Sequence, residues 1–379
     1  GTYNGGNQMN IYWIGARQFD IKNIKLFAGS ITRYGNDNNN NFSFCNNTFT
    51  ENYHEFVDHK IHEIIANDDN ACFMFANEHN AYKYGKEIFE KSICINPLYI
   101  IESMNDKIFA RNFFSDCVQT PNSILVNSAF CSNYSFIKEI FNSKYSEFVL
   151  QEANGAGGIK NYFLGKENAP HITSKTSHIL VTPYIQNAVT VNVHIAVDKK
   201  CYKILPPSLQ ITVNKFRYSG SDFIAFSSLP VQTKNNVISC AKYVAKKVMS
   251  LKATGIFGID LLISNDNVLF LECNYRYQGS SFVLNKGLIE SGYPSLFELR
   301  YNSFYKSLDD VPDDIYELPI MYSSFRRTQN NKDIELPFPF ETIAINESNF
   351  ASNDQYIQYE LYSNSILENI EKQEVPNLC

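Results

Sequence analysis

Basic residues are sparse in this chain. It has 33 Lys and Arg against 39 Asp and Glu, a net charge of −6, and no basic run or Lys/Arg stripe. That argues against nucleic acid as a partner. No apolar segment approaches the roughly 18 residues needed to span a bilayer, so no membrane role is expected. The N-terminus is Asn- and Gly-rich and lacks the apolar core of a secretory signal. Nine cysteines are scattered without a CxxC pair. This fits reduced thiols in a cytoplasmic protein better than a disulfide framework or a zinc site. No GxGxxG appears in residues 10–100, and no GK[ST] follows the glycine run at 155–158. A dinucleotide fingerprint and a Walker A loop are thereby excluded.

What is present suffices for two or three domains, since 379 residues at 44% hydrophobic can bury several cores. Met9 precedes a strand-like run, NIYWIG, and is read as the native start, with residues 1–8 a remnant placed ahead of it. Strands NIYWIG, NIKLFAGSITRYG and ACFMFAN, then a short helix AYKYGKEIFEKS, indicate an α/β layer with a partly parallel sheet. Residues 103–118 read as one helix, capped by Ser103 or Asn105 and ended before Pro121. Residues 231–252 form an amphipathic helix carrying Val237, Ala241, Val244, Ala245 and Val248. Gly292 and Pro294 break a helical segment at 283–305. The last 75 or so residues mix short strands and Pro-rich turns, fit either to close over a site or to pack as an appendage.

The most telling stretch is GIDLLISNDNVLFLECNYRYQG, Gly258–Gly279. Two apolar runs flank Ser264-Asn265-Asp266-Asn267, the signature of a β-hairpin. A three-residue loop would pair Ser264 with Val268, Asp260 with Glu272 and Gly258 with Asn274. Alternation then puts Asp260, Glu272 and Asn274 on one face. Three oxygen donors among apolar residues are either the solvent face of an ordinary hairpin or the ligands of a hard divalent cation, with Mg2+ and bound phosphate the usual case. Arg276 follows with a fork suited to phosphate or carboxylate.

Other marked residues admit two readings. The run Gly155-Ala156-Gly157-Gly158 sits between two strands and can turn backbone N–H groups toward an anion, or be a plain hairpin tip. His194 lies in the strand VNVHIAV, where a structural role is the commoner one. His54, His59 and His62 read as a solvated helix face rather than a metal site. Arg217, in a polar loop, could hold a substrate carboxylate, and Ser280 and Ser281 could line an acceptor pocket; each could equally be structural.

Four blocks, in order, resemble the ATP-grasp superfamily: NDKIFARNFF, FVLQEANGAGGIKNYFL, ILVTPYI and the hairpin FGIDLLISNDNVLFLECNYRYQG. They cover roughly residues 100–290. The resemblance implies an α/β fold with an N-terminal α/β domain over 9–104 and a two-lobed ATP-grasp unit. The small lobe with the glycine loop is placed at 105–180, the large lobe with the metal hairpin at 181–300, and a C-terminal extension at 301–379. It implies an ATP-dependent ligase that activates a carboxylate as an acyl phosphate and couples it to an amine, most similar to amino-acid and peptide ligases. Transfer to a carrier-protein thiol, or a retired nucleotide-binding scaffold, are the alternatives. ATP and Mg2+, two ions, are the implied cofactors. The partners are a small-molecule carboxylate and amine, an amino acid, a peptide or a carrier protein, in a chain that could be a homodimer.

Position by position, Lys107 looks like the first nucleotide-contacting lysine. Gly155, Gly157 and Gly158 look like the phosphate-covering loop. Thr182, Pro183, Tyr184 and Ile185 fall where hinge backbone meets adenine. Asp260, Glu272 and Asn274 look like the Mg2+ ligands, and Arg276 like the group that steadies the transferred phosphoryl. Two departures stand out. Gln151 occupies the place of a second phosphate lysine, and a glutamine cannot neutralise charge. Lys160 or Lys203 is a candidate substitute. Pro183 in the hinge has no N–H to donate.

Overall fold

The computed structural model describes residues 2–4, 7–46, 52–154, 161–172, 176–347 and 356–373. Three sheets organise these residues. The first is mainly parallel: strand Asn7–Arg17 is central, with Phe27–Tyr34 on one side and Ala71–Phe75 on the other, Asn41–Ser43 extends it, and the short strand Thr2–Asn4 pairs antiparallel with the start of Asn7–Arg17. The alternation seen in the sequence demands this, because parallel strands need crossovers and are buried on both faces. Ala71–Phe75 is buried at every position. Helix Tyr53–Asn67, N-capped by Asn52, covers one face through Phe56, Val57, Ile61 and Ile64.

The second sheet is antiparallel, in the order Ile124–Asn127, His178–Pro183, Phe148–Gln151, Asn161–Leu164. The third has nine strands. Its order is Asn267–Asn274, Gly255–Ser264, Val189–Val197, Ser208–Val213, Arg217–Asp222, Ser323–Thr328, Tyr356–Tyr362, Phe340–Glu347, with Tyr202–Ile204 also paired to Val189–Val197. The late strands of the chain therefore continue this sheet. Buried Asp222 ties them down, accepting hydrogen bonds from Ser365 Oγ and the amides of Ile366 and Leu367. Helix Val231–Ser250 packs Val237, Ala241, Val244, Ala245 and Val248 onto the sheet.

One element differs from expectation. Residues 103–118 are not one helix. Leu98–Asn105 ends at Asp106, and Lys107–Phe114 begins there. Asp106 is the cap: its Oδ1 accepts from the amides of Ile108 and Phe109 at 2.9 and 3.0 Å. Asn105 instead accepts from Tyr275 N at 2.7 Å, fixing the exit of the metal-candidate hairpin. The break re-aims the second helix, so Lys107 and Arg111 on successive turns both point inward and are buried.

The parallel sheet and the large sheet are locked together. Arg300 donates to Phe75 O at 2.7 Å and Cys94 O at 3.0 Å, and Asn96 exchanges two hydrogen bonds with the backbone of Thr254. Tyr277 N bonds Ala76 O at 2.7 Å. Trp13, the single tryptophan, packs against Tyr277 and Phe297 across the same seam.

Candidate functional site

The hairpin pairs Asp260 with Glu272 and Gly258 with Asn274, as the sequence predicts, but by another route. The turn holds two residues, Asn265 and Asp266, so Ser264 pairs with Asn267 and not with Val268. Asn265 takes φ 53°, a conformation Asn tolerates. A bulge between Asp260 and Leu261 then inserts one extra residue on the partner strand and restores the expected pairs. The three oxygen donors do not lie on a solvent face. Asp260 and Asn274 are 8% and 6% exposed, and the Glu272 side chain 18%.

Around Asp260 stand neutral amides. Asn192 Nδ2 donates to its Oδ1 at 2.8 Å, Gln210 Nε2 at 3.0 Å, and Asn274 Nδ2 to its Oδ2 at 3.3 Å. Burial and the charge of Glu272 push the Asp260 carboxyl well above the usual carboxylate range. Burial would raise Glu272 too, but Lys107, 3.2 Å away, and a hydrogen bond from Asp260 hold it lower than usual. Asp260, served by neutral amides, and Glu272, paired with Lys107, thus set two adjacent carboxyl groups beside the Asn274 amide on one wall. That donor set fits a hard divalent cation. Burial lowers the Arg276 guanidinium against the pull of both carboxylates, and Arg276 donates to Asn274 Oδ1 at 3.3 Å.

A second layer holds these groups. Asn192 also donates to Gln278 Oε1 and accepts from Ser280 Oγ, both at 2.8 Å. A Cβ at Gly258 would meet Gln278 Nε2 at 1.8 Å, so glycine there makes room for the Gln278 side chain. Gln278 Nε2 is buried with no hydrogen-bond partner among the described residues. It is a donor without an acceptor, at the wall of a cleft of about 640 Å³.

That cleft runs between the antiparallel sheet and the nine-stranded sheet. It brings together Asp260, Glu272, Asn274, Arg276 and Ser280 with Gln151, Thr182, Pro183, Tyr184 and Ile185. The hinge N–H of Tyr184 is bonded to Glu147 O at 2.9 Å. Lys107 pairs with Glu272 just behind the wall. Arg217 opens the strand Arg217–Asp222, but its neighbours Lys215, Phe216 and Tyr218 line the cleft and Arg217 does not. Ser281 is buried against His194, Nε2 to Oγ 2.8 Å, and also accepts from Gln278 N. Lys203 is paired with Asp313 at 2.6 Å and does not line the cleft. Gly155, Gly157, Gly158 and Lys160 lie outside the described residues. The histidine helix is solvated: His62 faces Asp58 at 3.6 Å, both exposed.

Sequence reasoning missed several residues that line the cleft or brace its wall. Arg111 enters from the helix after Asp106, and its signal was the four-residue spacing from Lys107 on one helix face. Asn192, behind the wall on the strand beside the hairpin, and Gln210, lining the cleft from the next strand, are revealed only by the sheet order. Arg17 stands at the carboxyl end of the central parallel strand, paired with Asp20 at 3.2 Å; such strand ends are where open α/β sheets place ligands.

Comparison with known proteins agrees with this architecture. The family model for the ATP-grasp domain matches residues 104–280. No curated protein matches the sequence. Among solved structures, the biotin carboxylase domain of Hydrogenobacter thermophilus 2-oxoglutarate carboxylase, with MgADP, ADP and bicarbonate, superposes with a TM-score of 0.66 at 13% identity, over 94% of this chain and 86% of that one. N5-carboxyaminoimidazole synthetase from Staphylococcus aureus, complexed with ADP, gives 0.60 at 12% identity, over 96% and 95%. L-amino acid ligase from Bacillus licheniformis gives 0.60 at 10% identity, over 97% and 96%. At these identities the likeness speaks for the fold. Residues 104–280 are an ATP-grasp domain.

Proposed function

We propose that this chain is an ATP-dependent ligase that activates a carboxylate and joins it to an amine, releasing ADP and phosphate. The observation that carries the reading is the single wall formed by Asp260, Glu272 and Asn274, with Arg276 beside it, facing the cleft. The ligands of the similar structures, MgADP with bicarbonate among them, support a nucleotide and an acid as its guests.

A carboxylate is a poor electrophile, and phosphorylation by ATP supplies it with a leaving group. The protein's task is then positioning and charge stabilisation. Asp260, Glu272 and Asn274 would hold Mg2+, which when bound offsets charge between the triphosphate and the acid. Arg276, fixed by Asn274 and by the docking of Tyr277 on Ala76, presents its fork to the phosphoryl group in flight. Thr182, Tyr184 and Ile185 line the far end, where a base fits against Val189 and Leu262. Pro183 has no N–H and that of Tyr184 is committed, so polar backbone contact to a base falls to Ile185 and to carbonyl oxygens. The acid and the amine enter at the end lined by Arg17, Tyr218 and Ser280.

The test is ATP consumption by the purified protein with Mg2+ and pools of amino acids, quantifying ADP and phosphate. ADP release that requires a particular acid plus an amine supports the ligase. MgATP binding without turnover on any acid–amine pair would favour carrier-protein transfer or a retired scaffold.

A further inference from the structure

The chain lacks a lysine at the position of Gln151, yet a cation is present there. Arg111 reaches Gln151 Oε1 with one guanidinium nitrogen at 2.6 Å. Its other terminal nitrogen donates to Thr182 Oγ1 at 3.0 Å and Ser123 Oγ at 3.1 Å, and its Nε to Leu271 O at 2.9 Å. Four of the five N–H donors of a guanidinium are thereby aimed and one remains. The side chain is 6% exposed, and it lines the cleft.

All four acceptors are neutral. Among the described residues Arg111 has no ion-pair partner; the carboxylate that feels its charge, Glu272, is paired with Lys107. A buried guanidinium satisfied only by neutral groups retains an uncompensated charge, which an anion in the cleft would offset. The hydrogen bonds lock the plane of the fork before any ligand arrives, so little side-chain entropy is lost on binding. The bulge in the hairpin contributes directly, since the Leu271 carbonyl it turns out is the acceptor for Nε.

We propose that Arg111 binds the phosphate chain of the nucleotide, supplying from the helix the positive charge that the strand omits at Gln151. The proposal rests on the nucleotide reading given above. It makes Gln151 a positioning residue, whose amide oxygen orients the guanidinium.

The experiment is calorimetric binding of MgADP and of adenosine to the wild type, Arg111→Gln, and Arg111→Gln combined with Gln151→Lys. Loss of a charge-assisted contact should weaken MgADP by roughly 10- to 100-fold in Arg111→Gln while leaving adenosine within about 2-fold. The added lysine in the double variant should recover most of the MgADP affinity. Equal MgADP affinity in wild type and Arg111→Gln would overturn the proposal and leave the ligase reading standing. Equal weakening of MgADP and adenosine would also overturn it, placing Arg111 at the base or in the scaffold. A wild type that binds neither would overturn both readings. Should Arg111→Gln fail to fold, Arg111→Lys serves: it keeps the charge but not the fork, and must weaken MgADP several-fold with adenosine unchanged, or the proposal fails.

Discussion

Lys107 Nζ lies 3.2 Å from Glu272 Oε2, and the pair closes the wall of the cleft from behind, the lysine 4% and the glutamate 18% exposed. Removing the cation leaves Glu272 beside Asp260 with its main counter-charge gone. Lys107→Met should therefore destabilise the protein by about 3 kcal/mol, as breaking a buried pair does. Urea unfolding in EDTA measures it. The loss should shrink when Mg2+ and ADP are added, because a cation bound at Glu272 replaces the missing charge. A loss under about 1 kcal/mol, or one indifferent to Mg2+ and ADP, would show that Lys107 does not control this carboxylate.

Asp260→Asn separates charge from shape. The new amide oxygen still accepts from Asn192 and Gln210, and only the 3.3 Å contact from Asn274 is lost. Since burial and Glu272 make the Asp260 charge costly, the variant should melt no lower than the wild type. Turnover should nonetheless fall 100-fold or more, about 3 kcal/mol of barrier. Thermal melting and ADP release on the same sample check both halves. Full activity in a folded Asp260→Asn protein would remove Asp260 from the cation site.

His194 gives the chain a pH dependence of known sign. It is 2% exposed, and burial lowers its pKa to about 3. An unfolded histidine titrates near 6.5. Between those values the unfolded chain holds a proton that the native chain does not, so stability rises with pH through that window. The contribution is complete above about pH 6.5 and is lost as the pH falls. At pH 5 this amounts to about 2 kcal/mol relative to neutral pH. His194→Gln has no such proton to bind. Its drop in unfolding free energy between pH 7.5 and pH 5 should be smaller than that of the wild type by about that amount. Parallel drops would place the proton uptake elsewhere.

Much of this was legible from the residue order alone. The hairpin face carrying Asp260, Glu272 and Asn274 follows from period-two alternation, and the partly parallel first sheet follows from strand–helix alternation. The tip of the hairpin was misread because two errors cancel: a shorter turn shifts the register by one, and the bulge shifts it back. A bulge has no local sequence mark here; it is set by packing and by Arg111 reaching the Leu271 carbonyl. The helix break at Asp106 was misplaced because Ser103, Asn105 and Asp106 are all competent caps, and the contact of Asn105 with Tyr275, 170 residues away, decides among them. Asn192, Gln210 and Arg111 escaped notice for a similar reason. Their roles arise from which strand lies beside the hairpin and which helix crosses it, and neither relation is written in local spacing.

Asn192 is the residue through which the two sides of the cleft wall communicate. One amide serves Asp260 and Gln278 through Nδ2 and Ser280 through Oδ1, each at 2.8 Å, in a position 1% exposed. Asn192→Ala leaves the Gln278 carbonyl and the Ser280 hydroxyl without that partner, at a cost of about 1–3 kcal/mol. The same deletion releases Asp260 to turn. Groups that orient a metal ligand without touching the metal are commonly worth 10- to 100-fold in metal affinity. The Mg2+ concentration giving half-maximal stabilisation of the ADP complex should therefore rise roughly 10-fold or more in Asn192→Ala. Asn192→Asp, which restores the acceptor for Ser280 but sets a third carboxylate beside Asp260, should be worse in apo stability and should regain stability steeply with Mg2+. If Asn192→Ala loses stability while its Mg2+ dependence is unmoved, Asn192 braces the sheet and plays no part in presenting Asp260.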